Sequence, residues 1–363
     1  MRLSLLATCF ATRAGIILAG ALIGLVAAVL QLAGNPPNMG FCTACFERDL
    51  AGALGLHRAA AVQYLRPEIP AVVLGALLAA RLFGEHRLRG GSSPLVRLAL
   101  GACAGIGALV FLGCPWRALL RLAGGDLNAV TGLAGLTLGI AVGIAFLKAG
   151  FGLGRAYPLK GSAHWLAPLV SLVLLVMLLT RLRLGDSAAL FFSASGPGAQ
   201  HAAPWIGILA GLLIGLLAQR SRFCSMGGIR DLLLTRDTHL LLGVAALVAA
   251  VLAVNLLTGR FRASFDGQPI AHAQHLWNFL SMVLSGLAYT LAGGCPGRQL
   301  VLSGEGNTDA GVFVTGMVLG LSLAHNFNLA ASPAGVPPVG GVAVVAGLLF
   351  CLWIGLTHRE RLT

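Results

Sequence analysis

Ten apolar runs, each about long enough to cross a lipid bilayer, dominate this sequence of 363 residues. A membrane-spanning helix needs roughly 20 apolar residues. The runs lie near 15–33, 68–84, 94–113, 127–148, 164–182, 204–219, 239–258, 275–294, 308–327 and 338–357. Hydrophobic residues make up 57% of the chain, charged residues 10%, and the mean hydropathy is +0.87. The sequence therefore predicts an all-α polytopic membrane protein with about ten transmembrane helices.

The net charge of +13 raises the question of nucleic-acid binding. The Lys and Arg residues stand singly between apolar runs, without the basic patch and interleaved aromatic residues that such binding uses. A lipid bilayer, not a nucleic acid, is the predicted surrounding.

One polar motif occurs twice in this apolar chain. Phe41-Cys42-x-x-Cys45-x-x-Arg48-Asp49 returns 182 positions later as Phe223-Cys224-x-x-Gly227-x-x-Arg230-Asp231. Gly113-Cys114-Pro115-x-Arg117 returns 181 positions later as Gly294-Cys295-Pro296-x-Arg298. Charged and polar side chains are costly inside a membrane, so matched sets of them indicate a functional site.

The motif spacing predicts two structural repeats. Residues 1–163 form the first repeat, 164–203 the fifth span and a linker, and 204–363 the second repeat with the final span. Each half contains five spans, and an odd number reverses the direction in which the second half enters the membrane. The sequence thus predicts an inverted repeat. With both termini cytoplasmic, 16 of the 25 Lys and Arg residues fall on the cytoplasmic side, as membrane proteins prefer.

Four segments that begin at the cysteine motifs are too short to span the membrane. They are 41–56, 115–124, 223–235 and 296–304. We predict re-entrant half-helices, which are tolerated at membrane depth where protein or water covers the backbone. Pro115 and Pro296 suit the first helical position, where the missing N–H costs no hydrogen bond.

Helix starts of this kind favour anions, because free backbone N–H groups point outward and a nearby guanidinium adds donors. If the repeats are inverted, the half-helices aim their N-termini at one another and enclose a path lined by sulfur. The residues predicted for this path are Cys42, Cys45, Cys114, Cys224, Cys295, Arg48, Arg117, Arg230 and Arg298. Asp49, Asp231, Pro115 and Pro296 are predicted to have structural or gating roles, and the two Arg-Asp pairs could equally be plain salt bridges or helix caps.

The Cys42-x-x-Cys45 pair leaves two other interpretations open. A zinc site would need four N or S ligands, yet Gly227 replaces the second cysteine in the other half. A dithiol facing an oxidising compartment could form a disulfide, which would make the protein a membrane thiol-disulfide oxidoreductase. The matching cysteines in both halves favour a path over a redox relay.

The paired Phe-Cys-x-x-x-x-x-Arg-Asp and Gly-Cys-Pro segments, set among ten apolar spans, resemble the YeeE/YedE sulfur-transporter family across essentially the whole chain. Residues 35–49 and 113–128 are most similar to its YedE-related branch, which is linked to selenium metabolism. The resemblance implies an inverted-repeat fold with re-entrant helices and uptake of thiosulfate past a line of cysteines, here Cys42, Cys114, Cys224 and Cys295. Cys45 is an addition in the first half.

These observations predict a transporter in a bacterial-type inner membrane that imports a selenium- or sulfur-containing anion. A terminal sulfur or selenium atom is large and weakly hydrated, so protonated thiols can replace its water shell. No nucleotide-binding loop is present in the sequence, and no cofactor, metal or enzymatic activity is predicted. The resemblance also implies a cytosolic TusA/SirA-like carrier as partner. A membrane scaffold for selenium-handling enzymes is a third hypothesis.

Overall fold

The computed structural model describes residues 10, 12–181, 183–184, 187–188 and 190–359, and α-helices are the main secondary structure of this part of the chain. Its β-structure consists of two-residue strands, Arg89–Gly90 paired with Tyr157–Pro158 and Arg183–Leu184 paired with Ser187–Ala188. The all-α polytopic class predicted from the sequence is confirmed.

Within the described residues, seven α-helices of each half follow the same order of long and short elements. The first half contains α1 Arg13–Leu32, α2 Thr43–Ala53, α3 Glu68–Leu82, α4 Pro94–Phe111, α5 Pro115–Ala123, α6 Asn128–Lys148 and α7 Leu166–Thr180. The second half contains α8 Pro204–Ser221, α9 Ser225–Thr235, α10 His239–Leu257, α11 His275–Ala292, α12 Pro296–Gly304, α13 Thr308–Asn326 and α14 Pro338–Thr357.

The number of helices that could span a membrane differs by one from the sequence prediction. Among the described residues, nine helical stretches have the necessary length and apolar composition, and the predicted span at 68–84 is missing from that set. Its helix, α3, has 15 residues and is therefore about 22 Å long, less than a hydrocarbon core of about 30 Å, whereas α7, also of 15 residues, is extended to 18 by the 3-10 turn Ala163–Trp165. The helix starts after Pro67 and ends at Phe83, before Gly84 adopts a positive φ of 69°.

The two halves pack against each other through four pairs of helices: α1 with α10, α3 with α8, α4 with α13, and α6 with α11. Glycines allow the backbones in these pairs to approach closely, as small residues do in membrane helix pairs. Gly135 faces Phe279 and Gly139 faces Val283, so α6 and α11 run parallel. When each helix is replaced by its counterpart in the other half, the α1–α10 pair becomes the α8–α3 pair, and the α4–α13 pair becomes the α11–α6 pair.

In two of the counterpart pairs, the helices run in opposite directions. The backbone N–H of Ala202, just before α8, donates to Asn35 Oδ1, just after α1, at 2.9 Å. Arg97 at the start of α4 donates from Nη1 to the carbonyl oxygen of Ala292 at the end of α11, also at 2.9 Å. At the other end, His272 Nε2 lies 2.8 Å from the Val110 carbonyl oxygen. Thus α1 is antiparallel to α8, and α4 is antiparallel to α11.

The close glycine contact between α6 and α11 can be tested by substitution. A Cβ at Gly139 would overlap the backbone carbonyl of Val283, so the helices must separate to admit it. We expect Gly139→Ala to destabilise the protein by about 1–3 kcal/mol, seen as a lower midpoint of thermal unfolding in detergent. Gly311→Ala is the matched control, because its Cβ would have no atom within 4 Å. Equal midpoints for the two variants would contradict this packing.

Candidate functional site

Each of the four half-helices begins at one of the repeated cysteines. Cys42 and Cys224 cap α2 and α9, and their Sγ atoms accept hydrogen bonds from the backbone N–H groups of Cys45 at 3.3 Å and Gly227 at 3.2 Å. Cys114 and Cys295 precede α5 and α12, which start with proline as the sequence predicted. The bounds of the four helices agree with the four short segments predicted from the sequence.

The cysteines form two contacting pairs, one in each half. The Sγ atoms of Cys42 and Cys114 lie 3.7 Å apart, and those of Cys224 and Cys295 lie 3.5 Å apart. Two thiolates at such distances would repel each other, so each pair retains at least one S–H donor. The Cys45 side chain also interacts with Cys42, which gives the first half a cluster of three thiols.

The starts of the half-helices meet around Trp116. Its ring centroid lies 5.2 Å from that of Phe41 and 5.4 Å from that of Phe223, the residues that precede Cys42 and Cys224. The fourth half-helix completes the junction, because a Cβ on Gly297 would lie 3.0 Å from the Trp116 ring. Gly297 occupies the position of Trp116 in the other half, so a single indole ring fills the centre where two would collide.

The C-terminal ends of the half-helices, which point away from the junction, lie in two separate regions of the protein. The Ala53 carbonyl oxygen accepts from Phe191 N at 2.8 Å, and the Gly124 carbonyl oxygen accepts from Arg262 N at 3.0 Å. The Glu305 carbonyl oxygen, at the end of α12, accepts from Arg87 N at 3.0 Å. The Arg262 loop precedes α11, and the Arg87 loop leads into α4, whose Arg97 binds the other end of α11. The length of α11 therefore separates the outer ends of α5 and α12.

Asp49 holds two arginines in the first half. Its carboxylate accepts from Arg48 Nη2 at 2.6 Å and from Arg66 Nε at 2.8 Å, and all three side chains are buried. Sequence reasoning missed Arg66. The sequence signal that could have identified Arg66 was its position as a single cation at the edge of an apolar run, without an acidic residue predicted to pair with it.

Arg117 is also buried, and backbone carbonyl groups bind most of its guanidinium. Its Nη1 donates to the carbonyl oxygen of Leu112, its Nη2 donates to Ile270 at 3.0 Å, and the same Nη1 lies 3.8 Å from Cys45 Sγ. A second buried ion pair that the sequence did not reveal joins Arg121 Nε to Asp126 Oδ2 at 2.6 Å.

The second half is more open to solvent. Arg230 pairs with Asp231 at 2.8 Å, but the side chains are 31% and 24% exposed. Arg298 Nη2 pairs with Glu305 Oε1 at 3.3 Å, whereas its Nη1 is buried without a hydrogen-bond partner among the described residues. The guanidinium of Arg298 also interacts electrostatically with Cys224 and Cys295.

A charged cluster surrounds the outer end of α12. Glu305 also binds Arg89 at 3.2 Å and Arg222 at 3.1 Å, and Arg222 reaches Glu85 at 2.8 Å. Burial would raise the pKa of the Glu85 carboxyl, but hydrogen bonds and charge from Gln219, Arg222 and Arg220 lower it below its ordinary value. The cluster comprises four arginines and two glutamates and therefore carries a net positive charge.

Tyr289 on α11 is a further residue that the sequence did not single out. Its side chain is fully buried, and its hydroxyl interacts electrostatically with Cys114, Cys295 and Cys42. Cys295 also interacts with Cys114, so the two thiol pairs lie within electrostatic range of each other. Cys42, Cys45, Cys114 and Cys295 have no exposed surface, whereas Cys224 is 6% exposed, so the first-half side of the junction is closed to water in this conformation.

Two comparisons with known proteins bear on this site. Residues 220–354, which include Cys224 and Cys295, match the family described as Sulphur transport. A stretch of 107 residues is 33% identical to the thiosulfate transporter TsuA of Spirochaeta thermophila and covers 29% of this chain and 32% of that protein. The chain thus matches about a third of the length of this curated relative. The two matches confirm the resemblance predicted from the motifs.

Proposed function

We propose that this chain, a relative of the YeeE/YedE sulfur transporters, imports a sulfur- or selenium-containing anion across a bacterial-type inner membrane. The observation that carries the proposal is the meeting of four helix N-termini, each begun by a cysteine, with Sγ pairs at 3.7 and 3.5 Å. Such a junction combines soft S–H donors with the positive ends of four helices, which together suit an anion that has a terminal sulfur or selenium atom.

We further propose that residues 1–163 and 204–363 form an inverted repeat, with both termini in the cytoplasm. The antiparallel course of α1 and α8, and of α4 and α11, supports this arrangement. So does the separation of the outer ends of α5 and α12 by the length of a helix. In this arrangement Cys42 and Cys114 lie toward the outside, and Cys295 and Cys224 toward the cytoplasm.

Polar groups near the cysteines supply donors for the oxygen atoms of such an anion. Thr43 Oγ1 and Trp116 Nε1 are buried and have no hydrogen-bond partner among the described residues, as is also true of Arg298 Nη1. Buried polar groups are rarely left unpaired, so unpaired groups at a junction favour a ligand that pairs with them. In this proposal the thiols bind the sulfur end of the anion, while Thr43, Trp116 and Arg298 bind its oxygens.

The other motif residues act by position. Asp49 orients Arg48, and Arg117 anchors α5 to backbone carbonyls, so both guanidiniums contribute positive potential at the start of the path. On the cytoplasmic side, the positive cluster around Glu305 attracts the anion as it leaves. A TusA/SirA-like carrier that accepts the anion at this cluster is the proposed partner.

Uptake into proteoliposomes of purified protein tests the proposal. We expect saturable uptake of thiosulfate or selenosulfate under reducing conditions, and at least about tenfold slower uptake of sulfate, which has no soft terminal atom. A tenfold rate difference corresponds to about 1.4 kcal/mol, the scale of a single hydrogen bond. Selenite is included to separate a preference for selenium from a preference for a terminal sulfur.

The proposal would be overturned if the protein took up none of these anions. The thiol-disulfide oxidoreductase would replace it if a disulfide involving Cys42 formed as quinone was reduced to quinol and reopened as quinol was oxidised. The contact between Cys42 and Cys114 makes that disulfide as relevant as one between Cys42 and Cys45. Mass spectrometry of alkylated peptides distinguishes the two.

A further inference from the structure

Glu47 is an acidic side chain in the first half that the site described above does not use. It lies on α2, five residues after Cys42, and is 1% exposed. Neither carboxyl oxygen has a hydrogen-bond partner among the described residues. The equivalent position in the second half, 182 residues later, is Ile229, so the repeat does not require an acid here. An acidic residue buried in a membrane protein without a structural partner indicates a function.

Glu47 lines a cavity of about 540 Å³ bounded by α2, α3, α7, α12 and α13. Most of the lining is apolar, with side chains such as Leu50, Val73 and Val318. His164 and Asn307, which precede α7 and α13, line the same cavity. Both belong to segments that the charge distribution assigns to the cytoplasmic side. On its other side, Glu47 interacts electrostatically with Cys114 of the thiol junction.

Most charged and titratable groups around Glu47 are engaged with other partners, although Glu68 Oε2, His164 Nδ1 and His325 Nε2 are buried without a hydrogen-bond partner among the described residues. On α2 itself, Arg48 is paired with Asp49. On the neighbouring elements, Glu68 accepts from Asn35, Asp309 accepts from Ser92, Arg97 donates to Ser92, Arg298 pairs with Glu305, and the His325 ring packs on His57. His164 lies across the cavity, and the thiols of Cys42, Cys45 and Cys114 lie at the start of α2 and α5. An ionised carboxylate in apolar surroundings without a partner is strongly disfavoured, so Glu47 holds a proton at rest.

We propose that Glu47 carries a proton that is imported together with the anion. This inference rests on the proposed function and specifies its energy source. A membrane potential of 100 mV, negative inside, lowers the equilibrium ratio of inside to outside anion concentration about fiftyfold for each negative charge on the anion. A proton that crosses with the anion cancels one such charge. Glu47 takes the proton from the junction side, beside Cys114, and releases it toward the cytoplasmic end of the cavity, where His164 and Asn307 lie.

The test is thiosulfate uptake by proteoliposomes at zero membrane potential, clamped by potassium and valinomycin, with the outside one pH unit more acidic. With one proton per thiosulfate, the wild-type protein accumulates thiosulfate about tenfold, since one pH unit is a tenfold proton gradient. Glu47→Gln keeps the shape of the protonated acid but cannot release a proton. We expect it to show no accumulation, while exchange of thiosulfate between preloaded vesicles and medium continues.

Glu68→Gln is the matched control, because Glu68 is equally buried, adjoins the same cavity wall and is hydrogen-bonded to Asn35. It is expected to keep the tenfold accumulation. Accumulation by Glu47→Gln, or wild-type accumulation without a pH gradient, would overturn the coupling while leaving transport intact. Absence of exchange of both thiosulfate and selenosulfate in the wild type would overturn the proposed function itself, and the coupling role with it.

Infrared spectroscopy provides a readout that does not depend on transport. A protonated carboxyl has a C=O stretching band that a carboxylate lacks. The wild-type spectrum at neutral pH should contain one such band that disappears in Glu47→Gln and persists in Glu68→Gln. A wild-type spectrum without that band would mean that Glu47 is ionised at rest, and the proposal would be wrong.

Discussion

Replacing Cys295 by serine is expected to reduce the initial rate of thiosulfate uptake at least about tenfold. The substitution removes an S–H donor from the centre of the junction and leaves Cys224 without the sulfur that lies 3.5 Å from it. Serine is smaller, and its hydroxyl is a harder group that suits oxygen better than a terminal sulfur. Loss of one donor worth about 1.4 kcal/mol in the rate-limiting step corresponds to a tenfold fall in rate. Cys114→Ser should behave in the same way, since Cys114 holds the equivalent position.

Cys103→Ser is the matched control for these variants. Cys103 lies within α4, where its thiol interacts with Cys351 and takes no part in the junction. Its substitution should leave uptake within about twofold of the wild type, a difference well under 1 kcal/mol. Equal losses for Cys103→Ser and Cys295→Ser would show that the effect comes from general packing and would remove the cysteine path from the mechanism.

Replacing Asp49 by asparagine is expected to cause the largest loss of stability among the motif residues. Asp49 has no exposed surface and is the acidic partner of both Arg48 and Arg66, which are themselves buried. Removing one partner of a buried ion pair typically costs about 3–5 kcal/mol, because an uncompensated charge remains. The expected result is a strongly lowered midpoint of thermal unfolding in detergent, or no monodisperse protein at all.

The repeat supplies the control for Asp49. Asp231 is its counterpart and pairs with Arg230 in the same way, but the pair is partly exposed, so Asp231→Asn should cost only about 0–1 kcal/mol. Adding Arg66→Gln to Asp49→Asn should recover part of the loss, because the double variant removes one of the stranded charges. Equal unfolding midpoints for Asp49→Asn and Asp231→Asn would contradict the burial of the first-half cluster.

Local sequence signals were sufficient for the helices and for the four cysteines. Apolar length predicts a spanning helix because the bilayer itself sets that length, and nine of the ten predicted spans lie in helices long enough to cross. The exception, α3, shows the limit of that reasoning. Its apolar run is real, but the positions where the helix starts and stops depend on Pro67 and on the backbone at Gly84, which hydropathy does not register.

The cysteines could be found because each half repeats them at a helix start, where proline and glycine leave a readable pattern. Their pairing could not be found in the same way. Which sulfur lies against which depends on how α2 packs beside α5 and α9 beside α12, and these helices are about 70 residues apart in the chain. The sequence also treats the two Arg-Asp motifs as equivalent, although one is fully buried and the other is partly exposed.

By itself, the sequence determined the multi-pass membrane class and the positions of the four half-helices, because these follow from local composition and from spacing along the chain; it also predicts the two-part organisation. Only the tertiary structure decided that Trp116 fills the centre opposite Gly297, that Asp49 is shared with Arg66, and that Glu47 is buried beside a cavity with no hydrogen-bond partner in the described part of the chain. Each of these depends on contacts between distant segments. A side chain's burial and partners are set by the neighbours that folding brings to it, and those neighbours are not written beside it in the chain.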